Sequence, residues 1–289
     1  MTALHDIGRA KINLTLEVLG RRADRFHELR SLVAFANFGD CLALDPGDGF
    51  DLEIEGPFAA ALGPGNLILE AARAARARVP GLRLGRFRLD KSLPAAAGLG
   101  GGSADAAAAL RLIARANPGL IDEEVLGELA PKLGSDVRVC LEKRPALMTG
   151  RGETVEPVHG LPACGVVLAN PGEALATNAV YAALDAKPLV TQPRDDVERL
   201  DFGGGFDALL AYALPRGNDL EAPAANLVPE IRTVLAALAA LGGVRLARLS
   251  GSGPTCFALL PSEQEAKRAA GELAAAHPAW WIASGALEA

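Results

Sequence analysis

The stretch Pro94-Ala95-Ala96-Ala97-Gly98-Leu99-Gly100-Gly101-Gly102-Ser103-Ala104-Asp105 runs straight into Ala106-Ala107-Ala108-Ala109-Leu110. Four glycines among residues 98–102 let the backbone take positive φ and approach a ligand closely, which side chains would obstruct. Ser103 and Asp105 read as the opening of a small-residue helix, so free N–H groups and the positive end of a helix dipole face the glycines. Such a site suits phosphate, and the pattern points to a nucleotide. Two well-known phosphate loops do not fit. A Walker A loop needs a lysine directly after its last glycine, where Ser103 stands. A dinucleotide fingerprint needs a third glycine at the place of Ser103, and an acidic residue about twenty positions further on.

Working outward, the 289 residues are enough for two domains or one large one, and half of them are hydrophobic. A formal charge of −6 argues against a nucleic-acid binder, which would carry a basic field. Cys41, Cys140, Cys164 and Cys256 are far apart, form no Cys-x-x-Cys pair, and read as small buried hydrophobes in a reducing compartment. Neither a signal pattern nor an apolar run of about eighteen residues appears, so a soluble cytoplasmic protein is expected, with no membrane and no nucleic-acid partner.

The alternation of Ile12, Leu14, Leu16 and Val18 predicts a strand over 9–19, followed by a polar loop over 20–27. Apolar runs at 32–38 and 41–44 read as two neighbouring strands. Helices are predicted over 66–79, 103–117 and 122–133, with a strand at Phe87 and Leu89 delivering the chain to the glycines. The second half reads as a strand over 164–169, a helix over 177–184, and a weakly patterned, mobile connection over 188–205. A helix opened by Asn226 and Pro229 follows, then strands over 244–249 and 255–260 around the turn Ser250-Gly251-Ser252-Gly253. A helix over 263–276 and a last strand near 280–283 complete a ferredoxin-type split βαβ ending.

Phosphoryl transfer to a hydroxyl needs cations for the phosphate oxygens and a carboxylate to take the proton. Lys11, within Ala10-Lys11-Ile12-Asn13-Leu14, Asp136, within Leu133-Gly134-Ser135-Asp136-Val137, and the pair Phe26-His27 are the candidates. Each has an ordinary reading when taken alone: a solvent-facing strand lysine, a turn aspartate between a helix and a strand, a surface histidine.

Taken together and in order, these motifs, the Pro94 loop and Leu249-Ser250-Gly251-Ser252-Gly253 resemble the GHMP kinases, and within them a branch defined by the Lys-x-Asn strand and the Arg-x-Asp-x-aromatic-His loop. The resemblance implies an α+β fold of two domains. One, ribosomal protein S5 domain 2-like and ATP-binding, would span 1–157; the other, ferredoxin-like, would span 158–289 and complete the substrate pocket. It implies ATP as co-substrate with Mg²⁺, and as acceptor a cytidine diphosphate conjugate of methylerythritol from the non-mevalonate isoprenoid route. Asp136 would be the catalytic base and contact the substrate, with Lys11 beside it. Pro94, Ala97, Gly98, Leu99, Gly100, Gly101, Gly102 and Ser103 would hold the ATP phosphates, with Asn66 and Lys91 near the nucleotide. Asn13, Phe26, His27 and Thr177 would bind the substrate, and the 251–253 turn would border its pocket. Phe26 stands where the family often has tyrosine, and Arg138 and Cys140 where it usually has proline and an aromatic. No metal ligand is assigned beyond Ser103 as a metal or phosphate contact, and the oligomeric state is left between monomer and homodimer. A kinase for another alcohol (a sugar, homoserine or mevalonate) and a catalytically silent nucleotide-binding module are the alternatives.

Overall fold

The computed structural model describes residues 3–63, 65–190 and 199–288. The chain forms two units interleaved in sequence. The first takes Met1–Ala10, Phe38–Ala95 and Gly100–Lys143, and the second takes Lys11–Asn37, Ala96–Leu99 and Arg144–Ala289. Strands β1 (Leu4–Asn13), β2 (Glu17–Arg21) and β3 (His27–Asp45) open the chain, and β1 and β3 each contribute residues to both units.

In the first unit, the end of β3 pairs antiparallel with β5 (Gly85–Asp90), Cys41 opposite Asp90, and β5 pairs parallel with β4 (Phe50–Glu55). Phe87 and Leu89 are buried while the alternating Arg86 and Arg88 are exposed, as the alternation requires. Helices α1 (Leu67–Arg78), α2 (Gly101–Ala116), α3 (Glu123–Leu133) and α4 (Val137–Glu142) complete the unit. Every residue of α2 from Ala104 to Leu110 is buried, Asp105 included. Its alanines let α1 and α4 pack closely on it.

In the second unit, β2 and the start of β3 form a hairpin, and β3 continues into β6 (Ala146–Gly150) and β7 (Thr154–Pro157). The remainder runs β8 (Gly165–Asn170), α5 (Thr177–Leu184), α6 (Phe206–Ala213), α7 (Glu221–Leu227), α8 (Glu230–Ala240), β9 (Leu246–Leu249), β10 (Cys256–Leu260), α9 (Glu263–Ala276) and β11 (Trp281–Ala286). Its four strands are antiparallel in the order β11-β8-β10-β9, the ferredoxin-like arrangement expected of a split βαβ unit. Val167 and Ala169 of β8, Ala258 and Leu260 of β10, and Val234, Leu238, Ala266 and Leu273 of the helices form its core.

Several local expectations are corrected. The strand expected over 9–19 is two strands, because Thr15 interrupts the ladder. Its Oγ1 accepts from the Leu32 amide, and the Leu14 and Thr15 amides share the Leu32 carbonyl. The runs 32–38 and 41–44 are one strand. The Gly39-Asp40 pair between them looks like a turn but meets other demands: a Cβ on Gly39 would lie 2.1 Å from the Gly8 carbonyl oxygen, and Asp40 is fully buried. Asp136 precedes a helix, α4, rather than a strand. Cys41 is exposed, although all four cysteines are free. Of the connection 188–205, residues 191–198 lie outside the described residues; Leu189 donates to the Arg21 carbonyl, and Asp201 bridges His159. Among the described residues no helix is long and apolar enough to cross a membrane.

Candidate active site

The glycine loop is set by its backbone. Positive φ recurs at Ala96 (50°), Gly98 (75°) and Gly100 (62°), an alternation that turns successive N–H groups toward one concave side. Helix α2 begins at Gly101, two residues earlier than the sequence suggests, because left-handed Gly100 occupies the N-cap. Ser103 therefore lies inside the first turn and does not cap the helix. Among the described residues, nothing accepts from the N–H groups of Gly101, Gly102 and Ser103, which point out of the helix start as an anion site requires.

The first half of the loop is anchored within the second unit through its carbonyls. Ala97 accepts from the Thr255 amide, Gly98 from the Ser250 hydroxyl at 2.9 Å, and Leu99 from the Lys11 amide at 2.9 Å. Gly98 permits this packing, since a Cβ there would lie 2.2 Å from the Ser250 carbonyl oxygen. Pro94, Ala97 and Leu99 are buried supports. The turn at Ser250 thus helps to hold the glycine loop in place.

Around the helix end of the loop, the first unit supplies the remaining residues. Asn66 caps α1, its Oδ1 accepting from the Ile68 amide at 2.8 Å, and a Cβ on Gly102 would lie 3.4 Å from Leu67. Lys91 is 1% exposed, with its Nζ 2.6 Å from Asp40 Oδ2 and 2.7 Å from Asp105 Oδ2. Burial opposes its charge, but the two carboxylates outweigh that and hold its pKa above the usual lysine range. Burial likewise pushes the Asp105 carboxyl up to about 7. Gly134 faces Ser103, a Cβ on it falling 3.7 Å from Ser103 Oγ, so the segment carrying Asp136 borders the loop. Asp136 occupies the N-cap of α4, yet its side chain makes no capping bond.

The other candidates lie in the second unit. Lys11 is buried at 4% exposure, not solvent-facing. Asn13 is buried; its Nδ2 donates to Ser31 Oγ at 2.8 Å and its Oδ1 is left without a partner. His27 stacks on Tyr181, ring centroids 4.7 Å apart, and burial and the charge of Arg21 depress its pKa, so the imidazole is neutral at neutral pH. Phe26 is 54% exposed, with the Arg151 guanidinium 4.9 Å from its ring centre. Thr177 Oγ1 lies 2.9 Å from Ser252 Oγ. Sequence reasoning missed Tyr181, Asp40 and Asp105 as parts of these clusters. A tyrosine on a short helix and aspartates inside a strand and a helix carry no local signal.

The models named GHMP kinases N terminal domain and GHMP kinases C terminal match residues 66–143 and 201–279, together more than half of the chain. The chain is 50% identical over 280 residues to a protein of Parvibaculum lavamentivorans named 4-diphosphocytidyl-2-C-methyl-D-erythritol kinase, covering 96% of each. It is also 50% identical over 293 residues to a protein of that name from Rhodopseudomonas palustris, covering 99% of each. The crystal structure of a 4-(cytidine 5'-diphospho)-2C-methyl-D-erythritol kinase matches with TM-score 0.79 at 35% identity, over 99% of this chain and 100% of that one. A homoserine kinase of Cytophaga hutchinsonii shares the fold, with TM-score 0.67 at 16% identity over 99% of this chain and 95% of that one. The chain belongs to the GHMP kinase family and, within it, to the 4-diphosphocytidyl-2-C-methyl-D-erythritol kinases. It is an ATP-dependent kinase of a small molecule.

Proposed function

We propose that this chain transfers the γ-phosphate of ATP to the 2-hydroxyl of 4-diphosphocytidyl-2-C-methyl-D-erythritol, a step of the non-mevalonate isoprenoid precursor pathway. The observation that carries this reading is the uncapped start of α2, with the Asp136 segment packed against Ser103. In this reading the backbone of 98–103 cradles the ATP phosphates, with Pro94, Ala97 and Leu99 supporting it and Asn66 and Lys91 on the nucleotide side. The Asp136 carboxylate accepts the hydroxyl proton as the oxygen bonds to the γ-phosphorus. The bond from that phosphorus to the bridging oxygen breaks, and ADP leaves with the electron pair. Lys11 steadies the charge that develops on the alkoxide and the transferring phosphoryl group.

Mg²⁺ bound with ATP would neutralise phosphate charge, and Ser103, in the first turn of α2, would be the loop's side chain able to hold it. The free Oδ1 of Asn13 suits a hydroxyl of the methylerythritol, and Thr177, whose Oγ1 meets Ser252 Oγ, would border the substrate. Phe26, His27 and Tyr181 suit the cytosine, the neutral imidazole offering one donor and one acceptor to the base edge. Free cysteines suit a cytoplasmic enzyme. We put the boundary between the two family halves at 157/158, within the stretch that neither family match covers.

His27→Ala should raise the KM for the cytidylyl substrate by about ten- to a hundredfold, the range a stacked base contributes, with the KM for ATP unchanged. An unaltered substrate KM would remove the histidine from the site. The reading as a whole is tested by ADP release with ATP and Mg²⁺, offering the cytidylyl substrate beside galactose, homoserine and mevalonate. Turnover of the first alone is expected. Turnover of another alcohol would overturn the substrate assignment, and ATP binding without any turnover would favour a silent nucleotide-binding protein.

A further inference from the structure

We propose that Asp40, Lys91 and Asp105 form a buried clasp that fixes the phosphate loop, with Lys91 serving ATP as a positioning residue held by both carboxylates and not as a direct ligand. The inference rests on the reading of residues 98–103 as the ATP-phosphate cradle. Lys91 stands just before the loop, and Asp105 lies in the second turn of the helix that follows it. Their contact at 2.7 Å therefore ties the two ends of the loop together across fourteen positions of sequence. Asp40 secures the entry: its Oδ1 accepts from the amides of Ser92 at 2.7 Å and Leu93 at 2.8 Å, while its Oδ2 takes the ammonium at 2.6 Å.

Two of the three ammonium protons are thus committed within the protein, and the side chain is 2% exposed. A solvated, flexible lysine that reaches for a phosphate looks different. A Cβ on Gly101 would lie 3.2 Å from Lys91 Nζ, so the ammonium sits directly under the first residue of α2, whose N–H faces the phosphate. Room for the acidic partner is built in from β1: a Cβ on Gly8 would lie 2.7 Å from Asp105 Oδ1. That oxygen is buried and has no partner. An ion pair buried this deeply loses most of its value when one partner is removed. Losing Asp105 should therefore release Lys91 and loosen the loop.

The test is a cycle of Asp105→Ala, Lys91→Ala and the double variant in the full chain, with steady-state kinetics and thermal melting. Asp105→Ala is expected to raise the KM for ATP by about tenfold to a hundredfold, the scale of a displaced binding group, with kcat and the KM of the alcohol within about twofold of wild type. The double variant should bind ATP no worse than Lys91→Ala alone, because the two residues act as one unit. Asp105→Asn, which can still accept from the ammonium, should restore most of the affinity. A folded Asp105→Ala enzyme with the wild-type KM for ATP, beside a weakened Lys91→Ala, would overturn the clasp and make Lys91 a direct ligand. Should Asp105→Ala not fold, amide exchange at residues 101–103 in ATP-free Lys91→Met, which removes the ammonium both carboxylates hold, decides: faster exchange supports the clasp, and unchanged exchange overturns it. Wild-type protein that fails to bind ATP at all would instead overturn the phosphate-loop reading on which the clasp depends.

Discussion

Asp136→Asn is expected to lower kcat by about a thousandfold, within the range a positioned general base contributes, while leaving the Kd for ATP within about twofold. The substitution keeps the shape of the side chain but replaces the anionic carboxylate, which can accept a proton, with a neutral amide that cannot. ATP contacts in the proposed site come from the backbone of the glycine loop, which a side-chain amide in place of the carboxylate would not disturb. Kcat from ADP release and nucleotide Kd from calorimetry, measured on the same preparation, separate the two effects. A variant with near wild-type kcat would remove Asp136 from the role of base. A variant with weakened ATP binding would make it part of the nucleotide cradle.

The second large effect is expected on stability. Gly98→Ala places a Cβ 2.2 Å from the Ser250 carbonyl oxygen and 2.8 Å from the Gly253 nitrogen, both backbone atoms that cannot swing aside. It also forces a side chain into φ +75°, which costs about 1 kcal/mol by itself. We expect a total loss of about 3 kcal/mol, several degrees of Tm for a chain of this size. Gly172→Ala is the internal control: its φ is +85°, but nothing lies within 4 Å of the added carbon. It should show the conformational cost alone. Equal melting temperatures for the two variants would mean that the turn at Ser250 yields freely, and that the loop is not fixed by it.

Much of this was legible in the residues. The helix over 66–79, the alternation at Phe87 and Leu89 and the strand–helix order from residue 244 onward appear in the structure as read. The failures share a physical cause. Gly39-Asp40 reads as a turn because those residue types usually serve turns, yet here the glycine admits the Gly8 backbone and the aspartate answers a buried lysine. Thr15 breaks a strand whose apolar alternation is intact, because its hydroxyl competes with the ladder. Helices α6 and α7 were not read at all, being short and lacking the period that marks a long amphipathic face. Tyr181 and Asp105 acquire meaning only from partners 154 and 14 residues away in sequence, His27 and Lys91. Periodicity, which looks no further than the next turn, cannot supply such pairings.

The anchoring of Gly98 by Ser250 also bears on when, during synthesis, the protein first becomes able to hold a nucleotide. The two residues are 152 positions apart, and Asn13 reaches the same serine across 237. At about 5–20 residues per second, the ribosome adds the serine roughly 8–30 s after the glycines have left it. Until then the nascent loop lacks the hydroxyl that pins its first half and, with these residues as the proposed ATP cradle, nucleotide would stabilise only a chain that is nearly complete.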